Sequence, residues 1–542
     1  MQKYVSHDFL HDKYTIDQLY HDYSMTTTPD ITIIQKDATF AKVICDSSIL
    51  MELSDAFCFE VKGAKYSPKF KAGLWDGKKR MLSNLTRLIY IGIVPKLLQY
   101  CKDAGYTVDN KIPMQTNLNV THDIIERFCK SLNLYAHGEP IQIKNYQIDA
   151  VFEAIHKGRR TLISPTSSGK SLIAYCIIRW YMLANKQILL LVPNIGLVAQ
   201  MASDFEDYST GNKWDSHGNI HAIHGDITKV TDKLLTIANW QAIYKIGKGV
   251  KKGGELAYGV PSDYFDKFDI VINDETHLAK AESITGIMER CRNAQKRIGM
   301  TGTLNDVDTD KLVIEGLFGP VYIVTTTNEL MENGDVTKLM MKCLKIDYPD
   351  EVRKGSTKLT YQEEMDFLIT HPGRNRFIAK LALTQKENVV IFFRYIDKQG
   401  KVLHHILNEL NDGSKTIVYI DGSVSLDDRE DIRKLISTRN DLILLGNMKC
   451  IGTGFNAPNL HIGINASPNK SKIEVLQAIG RLLRLSSGKL ICTVYDIFDD
   501  LTWKKHENYT YEWFLDRIKY YCEQKFKYKL ISVPLEQTNR HV

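Results

Sequence analysis

Short apolar runs alternate with longer stretches of helical period from about residue 140 to about residue 325. The runs at 161–163, 187–192, 234–237, 270–272 and 296–300 read as strands, and their alternation with helical segments predicts a parallel sheet covered on both faces. A second series follows, with strands at 339–346, 389–393, 416–420, 442–445, 461–465 and 490–497. The expected fold class is α/β, with two doubly wound parallel-sheet lobes in tandem. Between them, 325–336 holds Asn333, Gly334 and Asp335 among few apolar positions and predicts a connector and hinge. The tail from 509 to 528 predicts an amphipathic helix with Tyr511, Trp513, Phe514, Ile518 and Tyr521 turned inward against a lobe.

Residues 1 to about 115 lack this alternation and predict a small separate domain. Within it, Lys62, Lys65, Lys69, Lys71, Lys78, Lys79 and Arg80 interleave with Tyr66, Phe70 and Trp75, and Asp76 alone is acidic. Phosphate attraction plus stacking predicts nucleic-acid contact through these basic residues and Trp75. The alternative is a solvated hairpin whose aromatics serve a small core. At 246–259, Lys248, Lys251 and Lys252 sit among Gly247, Gly249, Gly253 and Gly254, where nucleic-acid contact and plain solvation are equally open.

A chain of 542 residues is too long for one ordinary core, and 44% hydrophobic content supports full folding. Its net charge of +6 is too mild to define a nucleic-acid binder by itself. The 10 cysteines are scattered without Cys-x-x-Cys spacing, which argues against a zinc ribbon or a disulfide framework and for a reducing, cytoplasmic setting. No run approaches the length of a membrane span, and the first residues lack a signal-peptide core.

Three runs carry the chemistry. Ser164-Pro-Thr-Ser-Ser-Gly-Lys-Ser171 lies between a strand and a helix, the context in which backbone N–H groups cradle phosphates. Thr166, Ser167, Ser168 and Gly169 would form the cradle, Lys170 would reach the outer phosphates and Ser171 would ligate magnesium. The run begins with Ser-Pro where glycine is usual, and a Gly-Lys-Ser/Thr tripeptide arises by chance in about one such chain in four. Asp274-Glu-Thr-His277 follows a strand, so Asp274 would hold magnesium through a water and Glu275 would polarise the attacking water. His277 would link this site to neighbouring segments. Gln477-Ala-Ile-Gly-Arg-Leu-Leu-Arg484 sets Arg481 and Arg484 on one helical face to neutralise phosphate charge from the second lobe, with Gln477 opening the run. The conjunction, in this order, specifies an ATPase whose site is split between two lobes.

These residues resemble the superfamily-two DExH helicases, and within them the phage UvsW type. The resemblance runs through Gly73-Leu-Trp-Asp-Gly77, Tyr146-Gln147, the phosphate run, Leu191-Val-Pro193, Trp240-Gln241 and Asp274 to His277. It continues through Thr301-Gly-Thr303, Gly452-Thr-Gly454, Gln477 to Arg484 and Leu515-Asp-Arg-Ile518. It implies two RecA-like lobes closing on ATP and magnesium, with Tyr146 and Gln147 at the adenine and Gly454 and Asn456 on the nucleotide. Asn456 stands where many relatives are acidic. Pro193, Trp240, Gln241, Gly452 and Thr453 are implied contacts to nucleic acid, and Thr301, Gly302 and Thr303 implied relays of closure.

The implied organisation is an extension at 1–30, an α+β DNA-binding domain at 31–115, lobes at 116–328 and 329–500, and a helical tail at 501–542. The implied activity is ATP-dependent remodelling of branched DNA: branch migration, fork regression and R-loop unwinding in phage recombination and repair. The implied partners are branched or duplex DNA, with recombination and single-strand-binding proteins beside a monomeric enzyme in the host cytoplasm. An RNA helicase and a non-catalytic nucleic-acid-binding scaffold are the alternatives.

Overall fold

The computed structural model of the chain describes residues 28–61, 63–113, 116–212, 214–223, 231–246, 263–279, 282–304, 308–452, 457–486 and 488–535. The extension before residue 28 and almost all of the glycine-rich basic excursion lie outside them.

The first domain is a four-stranded sheet in the order Leu88–Tyr90, Phe40–Cys45, Ile31–Gln35 and Val108–Asn110, with the helices Ser47–Ala56 and Val94–Asp103. Ile31, Ile33, Ala41 and Val43 point to one buried face, the alternation expected of a sheet covered on one side. That face does not close on itself. Its residues share one apolar cluster with Ile287, Met288, Leu317 and Phe318 of the following lobe. A Cβ on Gly92 would lie 1.9 Å from the Glu315 carbonyl oxygen, so glycine permits the close approach. The buried Arg297 crosses the same boundary, donating through Nη2 to Thr39 Oγ1 at 2.7 Å and to the Cys291 carbonyl at 2.7 Å.

The first lobe is a seven-stranded parallel sheet in the order Ile220–Ile223, Leu235–Asn239, Ile188–Val192, Ile270–Asp274, Lys296–Thr301, Arg159–Ile163 and Val321–Ile323. The second repeats it: Thr416–Ile420, Leu442–Asn447, Val389–Phe393, Ile462–Asn465, Ile491–Asp500, Lys338–Asp347 and Tyr528–Pro534. Numbered within each lobe, both orders read 3-4-2-5-6-1-7, so the two are tandem RecA-like lobes as expected. Central strands such as Ile188–Val192 and Val389–Phe393 are buried at every position because helices cover both faces.

The connector differs from expectation, and the tail adds a strand to it. The connector contains the helix Thr327–Glu332, closed by a capping box between Thr326 and Glu329, and its Leu330 and Val336 enter the second lobe's core. The tail forms the expected helix, Tyr509–Glu523, with Phe514 and Tyr521 in the second lobe's core, Tyr511 and Ile518 packed against it and Trp513 half-buried; the edge strand Tyr528–Pro534 that follows was not expected. The helix also buries Arg517, whose Nε donates to Asp496 Oδ2 at 2.9 Å while Nη1 donates to the Asn469 carbonyl at 2.9 Å. A charged residue at that position is tolerated only because its charge is paired and its protons are used. Among the described residues no helix is long and apolar enough to cross a membrane.

Candidate nucleotide site between the lobes

The strand Arg159–Ile163 runs into the loop 164–169 and then into the helix Lys170–Met182. Two residues of this loop take left-handed backbone angles, Gly169 at φ 83° and Ser167 at φ 70°. A non-glycine residue held there costs about 1 kcal/mol or more and persists only where its surroundings enforce it. The enforcement is visible. Ser168 Oγ donates to the Pro165 carbonyl at 2.6 Å and shares a short hydrogen bond with Ser164 Oγ. The Ser168 carbonyl accepts from Gln147 Nε2 at 2.9 Å and from the Tyr146 hydroxyl at 3.2 Å. A Cβ at 169 would lie 2.3 Å from Gln147 Nε2, so the loop's one glycine stands where the brace presses on it. Lys170 Nζ rests on the Ser164 carbonyl at 3.1 Å.

Asp274 ends the strand Ile270–Asp274, and Glu275 after it is again left-handed, at φ 52°. Burial, then the neighbouring Glu275, pushes the Asp274 carboxyl up to about 7. Burial also raises Glu275, but the hydrogen bond from His277, with Lys170 nearby, outweighs it and holds that carboxyl below its ordinary value. Asp274 Oδ1 is buried and accepts no hydrogen bond in the structure, an orphaned acceptor of the kind a hard, oxygen-seeking cation completes. His277 Nδ1 lies 3.2 Å from Glu275 Oε2 and 3.0 Å from Thr301 Oγ1, which donates to the Thr303 carbonyl at 2.9 Å. The carboxylate is thus connected through His277 and Thr301 to Thr303.

The opposite wall comes from the second lobe. The helix Lys472–Leu482 starts at Ser471, whose side chain caps it, and aims Gln477 at the first lobe, where Nε2 donates to Glu275 Oε2 at 3.4 Å. Ser167 Oγ donates to the Gly480 carbonyl at 3.2 Å. Between these contacts lies a cavity of about 170 Å³ whose walls bring together Lys170, Ser171, Asp274, Glu275, Arg481 and Arg484. Burial, with Arg484 adding to it, pulls the Arg481 guanidinium down to about 10, Glu275 opposing. A smaller cavity of about 140 Å³ on the other side of the loop is lined by Gly302, Thr303, Thr325 and Gln524. A Cβ at 480 would stand 2.6 Å from Thr166 Cβ, so alanine there should wedge the lobes apart. Gly480→Ala is expected to lower kcat for ATP hydrolysis on the order of a hundredfold, with an unchanged melting temperature, in paired kinetic and melting measurements.

Other expected residues lie off this cavity's wall. Tyr146 and Gln147 are not on the cavity wall; they brace the loop from behind, and Gln147 Oε1 also accepts from the Lys144 backbone at 2.9 Å. Trp240 is buried in the first lobe's core, with no face offered for stacking, whereas Gln241 beside it is exposed. Asn239 joins this segment to the Pro193 carbonyl through Nδ2 at 2.7 Å. Gly452 ends the helix Met448–Gly452; Thr453, Gly454, Asn456 and Lys62 lie outside the described residues. Motif spacing missed Leu197, Gln200, Met201 and Asp204, which the helix Ile195–Ser209 brings to the cavity. Burial pushes the Asp204 carboxyl up, with a Ser171 hydrogen bond opposing.

In the first domain Cys58–Glu60 pairs antiparallel with Lys78–Arg80, and the hairpin's far end carries the helix Pro68–Lys71. Lys65, Lys69, Lys71 and Lys79 are exposed there, as are Tyr66 at 71% and Leu74 at 80%. Trp75 is half-buried and donates its Nε1 proton to the Lys78 carbonyl at 2.7 Å. Arg80 is engaged with Asp55 at 3.0 Å and Asp76 at 2.7 Å.

A braced phosphate loop and carboxylate pair on one RecA-like lobe, faced by two arginines from an identically ordered second lobe, define a superfamily-two helicase. Residues 30–110 match the N-terminal domain of DNA helicase UvsW, 140–306 the res subunit of type III restriction enzymes, and 373–486 the helicase conserved C-terminal domain. The ATP-dependent DNA helicase uvsW of Enterobacteria phage T4 is 33% identical over 527 residues, covering 93% of this chain and 100% of the relative. The crystal structure of T4 UvsW covers the same shares at 30% identity, with a TM-score of 0.48. A fragment of a putative HsdR subunit of a type I restriction enzyme from Vibrio vulnificus YJ016 shares the fold at 16% identity and a TM-score of 0.52, over 85% of this chain and 76% of that one. The chain belongs to the UvsW family of ATP-dependent DNA helicases.

Proposed function

We propose that the chain is an ATP-driven motor that remodels branched DNA, by branch migration, fork regression and R-loop unwinding. The observation that carries the motor is the cavity where Lys170 and Glu275 of one lobe meet Arg481 and Arg484 of the other; membership of the UvsW family supports the branched-DNA substrate. ATP bound there touches both lobes, so binding favours closure and loss of the outer phosphate releases it. Lys170 leaves the Ser164 carbonyl for the phosphates. Glu275, kept ionised by His277, accepts the proton of the attacking water, and the two arginines neutralise charge on the transferred phosphoryl group. Ser171 and, through a water, Asp274 would hold magnesium, which when bound supplies further charge neutralisation. Gln477 ties the arginine helix to Glu275, and His277 ties Glu275 to Thr301, so closure and water activation are linked.

The substrate side is the hairpin of the first domain. Because that domain shares a core with the first lobe, DNA held by it moves with that lobe as the second lobe opens and closes. Lys65, Lys69, Lys71 and Lys79 supply the phosphate contacts and Tyr66 a stacking face, while Arg80 serves the hairpin itself. Replacing the four lysines by Ala is expected to weaken binding to a four-way DNA junction and to flatten its log–log salt slope by about 3 to 4. ATP hydrolysis without DNA should be unchanged, and conversion of the junction to duplex products should fall with binding. Junction conversion that needs no ATP, or wild-type binding by the quadruple variant, contradicts this assignment.

A further inference from the structure

The helix that carries Gln477 and Arg481 ends without a terminating glycine, since Leu482, Leu483, Arg484 and Leu485 follow in succession. Its last carbonyls must therefore find donors outside the helix. Lys489 folds back to supply them. Its ammonium donates to the carbonyls of Leu482 at 2.5 Å, Arg484 at 3.2 Å and Pro458 at 2.9 Å. An ammonium has three protons, and all three are used. Thr337 completes the clamp: its backbone N–H donates to the Leu483 carbonyl at 2.8 Å and its hydroxyl to the Arg484 carbonyl at 3.3 Å.

Lys489 is only 5% exposed, an unfavourable place for a charge whose sole described partners are carbonyl oxygens. Burial pulls its pKa down to about 8, Arg484 adding to this and the Cys492 thiol opposing. A positive group at a helix C-terminus is favoured by the helix dipole, which offsets part of the cost. What the charge secures is the backbone from 482 to 484, the segment that sets where both arginine side chains begin.

We infer that Lys489 is a positioning residue for ATP hydrolysis, whose ammonium fixes the end of the Arg481 helix and the backbone of Arg484 so that both guanidiniums meet the phosphates on closure. The inference rests on the assignment of those arginines to the phosphates. It separates kcat from KM, because Lys170, Ser171 and Asp274 lie on the other lobe and do not depend on Lys489.

The test compares steady-state ATP hydrolysis at saturating junction DNA for wild type, Lys489→Met, Lys489→Arg and Arg481→Ala, with melting curves for each. Lys489→Met is expected to lower kcat about ten- to a hundredfold with KM for ATP within about threefold, and Lys489→Arg to recover most of the loss. If the Met variant does not fold, Lys489→Gln, which keeps two donors, is measured in its place against the same expectation. A folded Lys489→Met or Lys489→Gln enzyme with wild-type kcat, beside an inactive Arg481→Ala, would overturn the inference alone. So would a KM that rises in step with the fall in kcat, or an Arg variant as slow as the Met variant. An active Arg481→Ala would overturn the arginine assignment and the inference with it.

Discussion

Replacement of Glu275 by Gln is expected to slow ATP hydrolysis about a thousandfold or more while leaving ATP binding within about threefold of wild type. Glutamine has nearly the same shape, so the left-handed turn at φ 52° and the contact from Gln477 can persist. What disappears is the basic oxygen. In the native site the His277 hydrogen bond and Lys170 outweigh burial and keep Glu275 ionised, whereas burial leaves Asp274 the harder of the two to ionise. The two adjacent carboxyls therefore divide the work: Glu275 can take a proton and Asp274 awaits a cation. Single-turnover hydrolysis with a separate nucleotide-binding titration reads both quantities. A Glu275→Gln enzyme that retains even a tenth of the wild-type rate removes Glu275 from the proton-accepting role.

Arg481→Ala is expected to cost about a thousandfold in kcat, the scale of an arginine that neutralises the transferred phosphoryl group. Its side chain shares a cavity with Lys170 and Glu275 although it belongs to the other lobe. DNA binding should survive, because the hairpin lysines belong to the first domain. Arg481→Lys should not rescue the rate, since an ammonium cannot present the planar fork of donors that a guanidinium does. A rate that recovers in the Lys variant would mean that a point charge suffices there.

The chemistry was legible in the chain wherever one residue type at one spacing was required, and illegible where the fold assembled it. The phosphate run, the Asp274–Glu275 pair and the two arginines announced themselves because strand ends and helix faces dictate their spacing. Asp204 did not, because it reaches the cavity through tertiary packing of a helix with no motif of its own, and Lys489 did not, because its partners are backbone carbonyls that no side-chain spacing records. Gln147 was legible as part of the site only through the family resemblance, and its brace on the Ser168 carbonyl had no sequence mark. Trp240 was legible only through the family resemblance, as a contact to nucleic acid, and it is buried in the first lobe's core.

The same division runs through the fold. Central strands such as Val389–Phe393 are apolar at every position and stood out. Ile220–Ile223, Val321–Ile323 and Tyr528–Pro534 are sheet edges, short or largely exposed, and carry little apolar signal. The connector helix did carry a sequence mark, the Thr326–Glu329 capping box, but its few apolar residues pointed to a loop. The first domain's shared core with the lobe had no sequence mark, since an inward face looks the same whichever partner covers it.

The central claim is that hydrolysis at the split site is coupled to DNA held by the first domain. Steady-state ATP hydrolysis without nucleic acid and with single-stranded DNA, duplex DNA, a four-way DNA junction and RNA, measured side by side, tests it most directly. The predicted result is stimulation by DNA, greatest with the junction and abolished in Arg481→Ala. Equal rates with and without every DNA would contradict it.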